Sequence, residues 1–163
     1  NGEQGAMYIP QPQVLGQQAL YQDAAGTVPV TADGDPVQNH VDVQAGLSAT
    51  SVTADQIYRL DGRVHYVDHD IGTLGVNLPD LGANATRVTV TWEGGEYLEG
   101  QTISGATTLP QVQYEAVIYI DRALTASEKN QIESALANTW LLADGAWDDG
   151  GRWRDIAIWE DAA

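Results

Sequence analysis

Three glutamates around a glycine turn are the residues of this chain that come closest to a pair of catalytic carboxylates. Glu93 and Glu96 flank two glycines, and Glu99 follows. Two carboxylates held roughly 5–10 Å apart can cleave a glycosidic bond by acid–base or nucleophilic chemistry. Nothing in the sequence fixes that separation, and exposed glutamates are common in turns. We therefore predict that the chain is not an enzyme, with a glycoside hydrolase as the weakest alternative.

A second group combines imidazole and carboxylate side chains between positions 65 and 70. On a helix, His65 and His69 would share a face at metal-ligand spacing, beside Asp68 and Asp70. The surrounding residues are typical of a strand, where His65 and His69 would lie roughly 13 Å apart. That distance excludes joint coordination of one ion, so we predict a solvated hairpin face and no metal. At an oligomer axis, the two histidines would respond to pH near neutrality.

The loop at positions 144–150 concentrates carboxylates beside a tryptophan. Hard oxygen ligands in a flexible loop suit calcium, although the spacing does not match an EF-hand. An aromatic face beside carboxylates also suits a sugar ring, through stacking and hydrogen bonds to hydroxyl groups. We predict Trp147, Asp148 and Asp149 as ligand-binding residues. No cofactor is expected, and calcium is the one candidate to test.

Period-two alternation of apolar and polar residues indicates the strands that position these groups. In the segment 87–92, Val88, Val90 and Trp92 share one face, and the β-branched content favours a strand. The other segments with strand character are 55–60, 63–68, 111–121 and 152–160. The first two flank an Asp-Gly turn and predict a hairpin. The segment 111–121 is apolar on both faces and predicts a central strand.

One amphipathic helix is predicted near the C-terminus, over about 127–140. Thr125 and Glu128 form a capping box, in which each side chain binds a backbone N–H of the other residue. Ile132, Leu136 and Trp140 then recur at four-residue spacing and form one apolar stripe.

The charge balance limits the partners of the chain. Seven basic residues face 23 acidic ones, for a net charge of −16. A chain this acidic repels phosphate backbones, so we expect no direct nucleic-acid binding. There is no apolar run of about 18 residues, so we expect no membrane insertion. Cysteine is absent, which excludes disulfides and thiolate chemistry.

Residues 1–19 are rich in Gln, Gly and Pro and show little periodicity. We predict an extended N-terminal arm, followed by a single domain over 20–163. Within the arm, Met7, Tyr8 and Ile9 are the apolar residues that would become ordered on a neighbouring subunit. A free terminus is the alternative.

Two stretches carry a resemblance to known proteins. Residues 20–37 read LYQDAAGTVPVTADGDPV and resemble a lead-in found in phage and prophage virion structural proteins. In those proteins the lead-in precedes a concanavalin A-like (laminin-G-like) jelly roll. Residues 116–128, continuing to Trp140, resemble the closing strand and helix of the same fold.

The resemblance implies both a fold and a role. The fold is mainly β, a reduced concanavalin A-like jelly roll or β-sandwich with one C-terminal amphipathic helix. The role is that of a structural component of a phage or phage-like particle: a head or tail spike base, a fibre or a decoration protein. Its partners would be other particle proteins, further copies in a homo-oligomer and a cell-surface glycan. It would be made in the bacterial cytoplasm and lie on the virion surface. A stand-alone lectin-like carbohydrate-binding module is the alternative.

Overall fold

The computed structural model describes residues 5–61, 64–69, 72–91 and 93–141, and it describes their side chains except those of Val64 and residues 135–141. Within these residues the chain is mainly β, with one helix. The strands are β1 (Gly5–Tyr8), β2 (Gln13–Val14), β3 (Gln17–Gln18), β4 (Leu20–Tyr21), β5 (Pro36–Val37), β6 (Asn39–Asp42), β7 (Leu47–Thr50), β8 (Gln56–Asp61), β9 (Val64–Asp68), β10 (Gly75–Thr91), β11 (Gly94–Thr108) and β12 (Ala116–Ile120). The helix α1 spans Ala126–Leu141. None of the described residues forms a helix long and apolar enough to cross a bilayer.

The strands form two principal antiparallel sheets. The larger sheet has the order β1-β12-β10-β7-β6-β4, with β11 on the other side of β10. The smaller sheet has the order β5-β8-β9, and β2 and β3 form a separate hairpin. This arrangement confirms the predicted mainly β sandwich or jelly roll with one helix near the C-terminus.

The larger sheet curls because β10 is long and bulged. It pairs with β7 through Gly75 and Val76, and with β12 through residues 86–90. Between these two pairings the register with β11 shifts three times, around Gly82 and Ala85. Gly82 has a φ of 78°, a left-handed conformation that glycine adopts without strain. Bulges bend a strand and increase its twist, so one strand serves both parts of the curled sheet.

The inner core fills the space between the two sheets. It contains apolar residues from strands of both sheets, including Tyr8, Tyr58, Val67, Val76 and Val117. Their burial supplies the main stabilisation of the sandwich.

A second apolar layer lies between the larger sheet and the helix. Val88, Val90 and Ile118 face Ile132 of α1 there, which confirms the predicted inward faces of these strands. The capping box is also confirmed: Thr125 N donates to Glu128 Oε2 at 2.7 Å, and Glu128 N donates to Thr125 Oγ1 at 3.2 Å. The side chains of Leu136 and Trp140 lie outside the described residues.

The predicted hairpin is confirmed, and the predicted central strand is shorter than expected. Strands β8 and β9 pair in antiparallel register, with Leu60 opposite His65. β12 lies between β1 and β10, as a central strand should, but residues 111–115 are not part of it. Glu115 still donates its backbone N–H to the carbonyl oxygen of Val90 at 2.7 Å, and the ring of Tyr114 packs into the inner core. The predicted strand at 152–160 lies outside the described residues.

The first described residues correct the expectation of an extended arm over 1–19. β1 pairs with β12 from Gly5 to Tyr8. Met7 and Ile9 are buried towards the helix, and Tyr8 is buried in the inner core. The segment is therefore the edge strand of the chain's own sheet, because its apolar residues alternate between two buried faces. Docking of Met7, Tyr8 and Ile9 on another subunit would require this strand to leave the sheet.

Candidate functional site

Two polar side chains of β6 bind backbone groups at β1, the edge strand at the opposite end of the same curled sheet. His40 is fully buried, and Asp42 is 1% exposed. His40 Nε2 lies 2.9 Å from the carbonyl oxygen of Ile9, and the Asp42 carboxylate accepts a hydrogen bond from the backbone N–H of Met7. We call these two side chains, with the backbone of Met7 and Ile9, the seam. The seam satisfies the Met7 N–H and the Ile9 carbonyl oxygen on the side of β1 where no described strand pairs with it. Buried backbone groups need such partners.

The hydrogen bonds of His40 fix its tautomer. A carbonyl oxygen can only accept, so Nε2 carries the hydrogen that is donated to Ile9. Nδ1 is then the acceptor for the hydroxyl group of Tyr114, at 3.2 Å. Burial lowers the pKa of His40 to about 3, so the ring is neutral at physiological pH. Burial also raises the pKa of Tyr114, so its hydroxyl group remains a donor.

Asp42 is held by the turn that follows it as well as by β1. Its carboxylate accepts hydrogen bonds from Gln44 N at 3.0 Å and Ala45 N at 3.3 Å. Burial raises the pKa of Asp42, while the hydrogen bonds from Gln44, Ala45 and Met7 act in the opposite direction. Asp42 is therefore a structural carboxylate that is bonded on several sides.

An array of five aromatic rings runs through the inner core from the seam. Tyr8 lies edge-on to both Tyr119 and His40, with ring centroids 6.5 and 5.3 Å away. Tyr114 stacks between His40 and His69, with centroids 6.2 and 5.4 Å away. Stacked and edge-on rings at these distances add to the stabilisation from burial. The array therefore connects the larger sheet with the end of β9.

The far end of the array contains buried polar groups with few or no hydrogen-bond partners. His69 is 3% exposed, and among the described residues its ring nitrogens have at most one hydrogen bond, with the backbone of Gly72. Burial lowers the pKa of His69 to about 4, although Asp68 and the hydrogen bond with the backbone of Gly72 act in the opposite direction. Gln56 is fully buried, and neither polar atom of its amide has a partner in the described part.

Gly72 is packed against the Gln56 amide. A Cβ atom at Gly72 would collide with Gln56 Nε2. The carbonyl oxygen of Gly72 accepts a hydrogen bond from Gln111 Nε2 at 3.3 Å. This contact ties the loop before Tyr114 to the segment after β9. A side chain at position 72 would have to displace the Gln56 amide.

His65 and His69 are more buried in the structure than the sequence predicted. His65 is half-buried and its Nδ1 lies 2.7 Å from the hydroxyl group of Tyr58. His69 packs in the aromatic array, so the predicted solvated face is wrong for this residue. Burial lowers the pKa of both histidines. In the part of the chain that the structure describes, no group of three or more His, Asp or Glu residues is arranged to hold a metal ion.

Two of the glutamates around the glycine turn, Glu96 and Glu99, face opposite sides of the sheet. Glu99 Oε1 lies 2.7 Å from Lys129 Nζ and also accepts a hydrogen bond from Leu124 N, on the helix side of the sheet. Tyr97 points to the same side, because its hydroxyl group donates to the backbone oxygen of Lys129. Glu96 precedes Tyr97 on β11, so it faces the opposite side of the sheet.

The lead-in at 20–37 connects the two sheets, and its carboxylates hold its turns. Asp23 Oδ1 accepts hydrogen bonds from Thr27 N and Val28 N, both at 2.8 Å. Asp35 Oδ2 accepts from Thr31 N at 2.8 Å and from Ala32 N at 2.9 Å. The hydrogen bond from the Thr27 hydroxyl group at 2.6 Å, together with those from the backbone, lowers the pKa of Asp23, and the backbone hydrogen bonds lower that of Asp35. The segment begins with β4 of the larger sheet and ends with β5 of the smaller sheet.

Sequence reasoning missed the buried polar residues. His40 and Asp42 lie two residues apart in a short strand, a spacing that places both on one face. That spacing was the available signal, but the neighbouring valines suggested the opposite face as the buried one. Glu115 was missed as well: it is 6% exposed, and burial raises its pKa to about 7. The predicted ligand residues Trp147, Asp148 and Asp149, and with them the calcium candidate, lie outside the described residues.

Comparison of the chain with protein-family models, with curated proteins and with solved structures finds no match.

Proposed function

We propose that the chain is a structural component of a phage or phage-like particle, a head or tail spike base, fibre or decoration protein, that acts in assembly and not in catalysis. The observation that carries the proposal is that the described polar side chains bind the backbone of the chain itself. His40 and Asp42 bind the backbone of β1, and the lead-in aspartates bind backbone N–H groups of their own turns. Each of these side chains is engaged in hydrogen bonds that hold the framework together.

The lead-in supports the proposal in a second way. It is the segment that resembles phage virion proteins, and in this fold it is the crossover between the sheets. Asp33 extends that role, because its Oδ1 accepts a hydrogen bond from Leu60 N of β8 at 2.9 Å. A segment that connects the two sheets is needed for the fold whatever the chain binds. Proteins that share this scaffold but bind different partners would therefore all need it. What the chain binds would then be decided by surfaces outside this segment.

The carboxylates do not favour the glycoside hydrolase alternative. Glu99 is paired with Lys129 and faces away from Glu96, so these two do not flank a common substrate position. Glu115 has the raised pKa of a general acid but is buried in the sheet next to β12. A general acid has to reach the substrate oxygen that it protonates.

Purification of particles from a bacterium that carries this gene tests the proposal. Particles would be banded on a density gradient and their proteins quantified by mass spectrometry. We expect the chain in the particle band at a fixed ratio to the major particle proteins, and antibody labelling on the particle surface. Recovery of the chain only in the soluble fraction, with intact particles that lack it, would contradict the proposal.

A further inference from the structure

Strand β11 has a long edge with no neighbouring strand in the described part of the chain. It pairs with β10 along its length, from Gly94 to Thr108, and no other described strand pairs with it. The edge of β1 is occupied by the seam. The edge strands of the smaller sheet are shorter, with five residues in β9 and two in β5. An unpaired edge presents a row of backbone N–H and C=O groups that another strand can bind.

The C-terminal half of the β11 edge also carries no charged side chain. Residues 101–108, QTISGATT, contain no charged side chain in a chain whose net charge is −16. They also lack lysine and proline, the residues that commonly prevent edge pairing. The exposed positions carry small or polar side chains: Gln101, Thr102, Ser104, Ala106 and Thr108. Two copies of this acidic chain would meet with the least repulsion here.

We propose that residues 101–108 of β11 pair antiparallel with the same residues of a second copy, so that two larger sheets join across a two-fold axis. The inference deepens the proposed function and rests on it, because it names a partner for assembly. Gly105 has a φ of 72° and lies within the run. An isologous contact of this kind presents the same surface from both copies.

Light scattering and analytical ultracentrifugation of the full chain test the pairing. The edge variant Thr102→Lys with Ser104→Lys places like charges close together in the new ladder, which destabilises cross-strand pairs. The control variant Val52→Lys with Ala54→Lys makes the same change of charge in an exposed loop. We expect dimers for the wild type and the control. For the edge variant we expect a dissociation constant raised by about tenfold or more, equivalent to about 1.4 kcal/mol, with an unchanged circular dichroism spectrum.

A chain without cysteine allows a second, independent measurement. Ser104→Cys introduces a single thiol near the centre of the proposed ladder, and Ala54→Cys is its matched control. Mild oxidation should convert Ser104→Cys to a covalent dimer and leave the control monomeric.

Three results would overturn the inference. They are a monomeric wild type at all concentrations, an edge variant that dimerises as well as the control, and equal crosslinking of the two thiol variants. If residues 142–163 of the same chain occupied this edge, the wild type would be monomeric, which is the first of these results. The recovery of the chain in particles is measured separately, so loss of the dimer would leave the proposed function standing.

Discussion

Replacement of His69 by phenylalanine should reduce the acid sensitivity of the fold by a calculable amount. The ring of His69 stacks on Tyr114, and among the described residues its nitrogens have at most one hydrogen bond, with the backbone of Gly72. Phenylalanine preserves the stacked ring and removes two buried polar atoms. We therefore expect the free energy of unfolding at pH 7 to change by about 1 kcal/mol or less, because the loss of one hydrogen bond and the removal of a buried polar atom without a partner offset each other.

The magnitude follows from the shifted pKa. Burial lowers the pKa of His69 from 6.5 to about 4, so the unfolded chain binds a proton that the folded chain excludes. The stability from the neutral ring is complete above pH 6.5 and is lost as the pH falls towards the folded pKa. The cost is about 1.36 kcal/mol per pH unit between the two pKa values and smaller close to each, so the fall from pH 6.5 to 4.5 costs about 2 kcal/mol.

The assay is urea denaturation of the wild type and of His69→Phe at a series of pH values. Only the difference between the two proteins is interpreted, because other groups act in the same range. Burial raises the pKa of Glu115 to about 7, so its contribution to the free energy of unfolding increases as the pH falls. Burial lowers the pKa of His40, so its contribution decreases as the pH falls. The contribution of Glu115 cancels in the difference, and that of His40 cancels except for the small electrostatic effect of His69 on its pKa. Parallel stability curves for the two proteins from pH 7 to 4.5 would refute the reasoning.

Three further predictions concern the seam, the crowded glycine and the acidic loop. His40→Phe leaves the Ile9 carbonyl without its donor and should lower the free energy of unfolding by about 1–3 kcal/mol, measured by urea denaturation. Gly72→Ala should cost about 1–3 kcal/mol because the new methyl group meets Gln56. The cost should shrink in a Gln56→Ala background, and a full additive cost in this double-mutant cycle would disprove the contact. Glycan-array binding, if it uses the acidic loop, should be lost in Trp147→Ala and on removal of calcium, and unchanged binding in both cases would exclude that loop.

Local patterns predicted the elements whose signals are complete within a few residues. Thr125 and Glu128 form their capping box within one turn of helix, and nothing distant can change that geometry. The alternation of Val88 and Val90 identified the face of β10 that meets the helix. The hairpin of β8 and β9 follows from two strands that flank a turn sequence.

The rest depends on contacts between distant parts of the chain. Val41 is the apolar residue of β6, yet the polar His40 and Asp42 are more buried. Their partners are the backbone groups of Met7 and Ile9, more than thirty positions away along the sequence. No local pattern contains that requirement. The curl of β10 is hidden for a related reason, because glycine and proline within a bulged strand resemble the residues of a turn.

The first strand shows how composition can conceal an element. Gln and Pro around positions 10–13 made residues 1–19 appear irregular, although the alternation of Met7, Tyr8 and Ile9 between two faces is a strand pattern. What decides the outcome is β12, whose free side offers β1 a partner. Composition describes the segment alone and cannot include this partner.

The protonation state of His40 tests the central claim most directly, because the account assigns this ring to the closure of the sheet. Long-range nitrogen–proton correlation spectra of the imidazole groups report both the tautomer and the charge of each histidine. The account predicts that His40 is neutral with its hydrogen on Nε2, and that it remains so on acidification until the pH approaches about 3 or the chain unfolds. A hydrogen on Nδ1, or titration of His40 near its ordinary pKa of 6.5 in the folded protein, would contradict the claim that His40 joins β6 to β1.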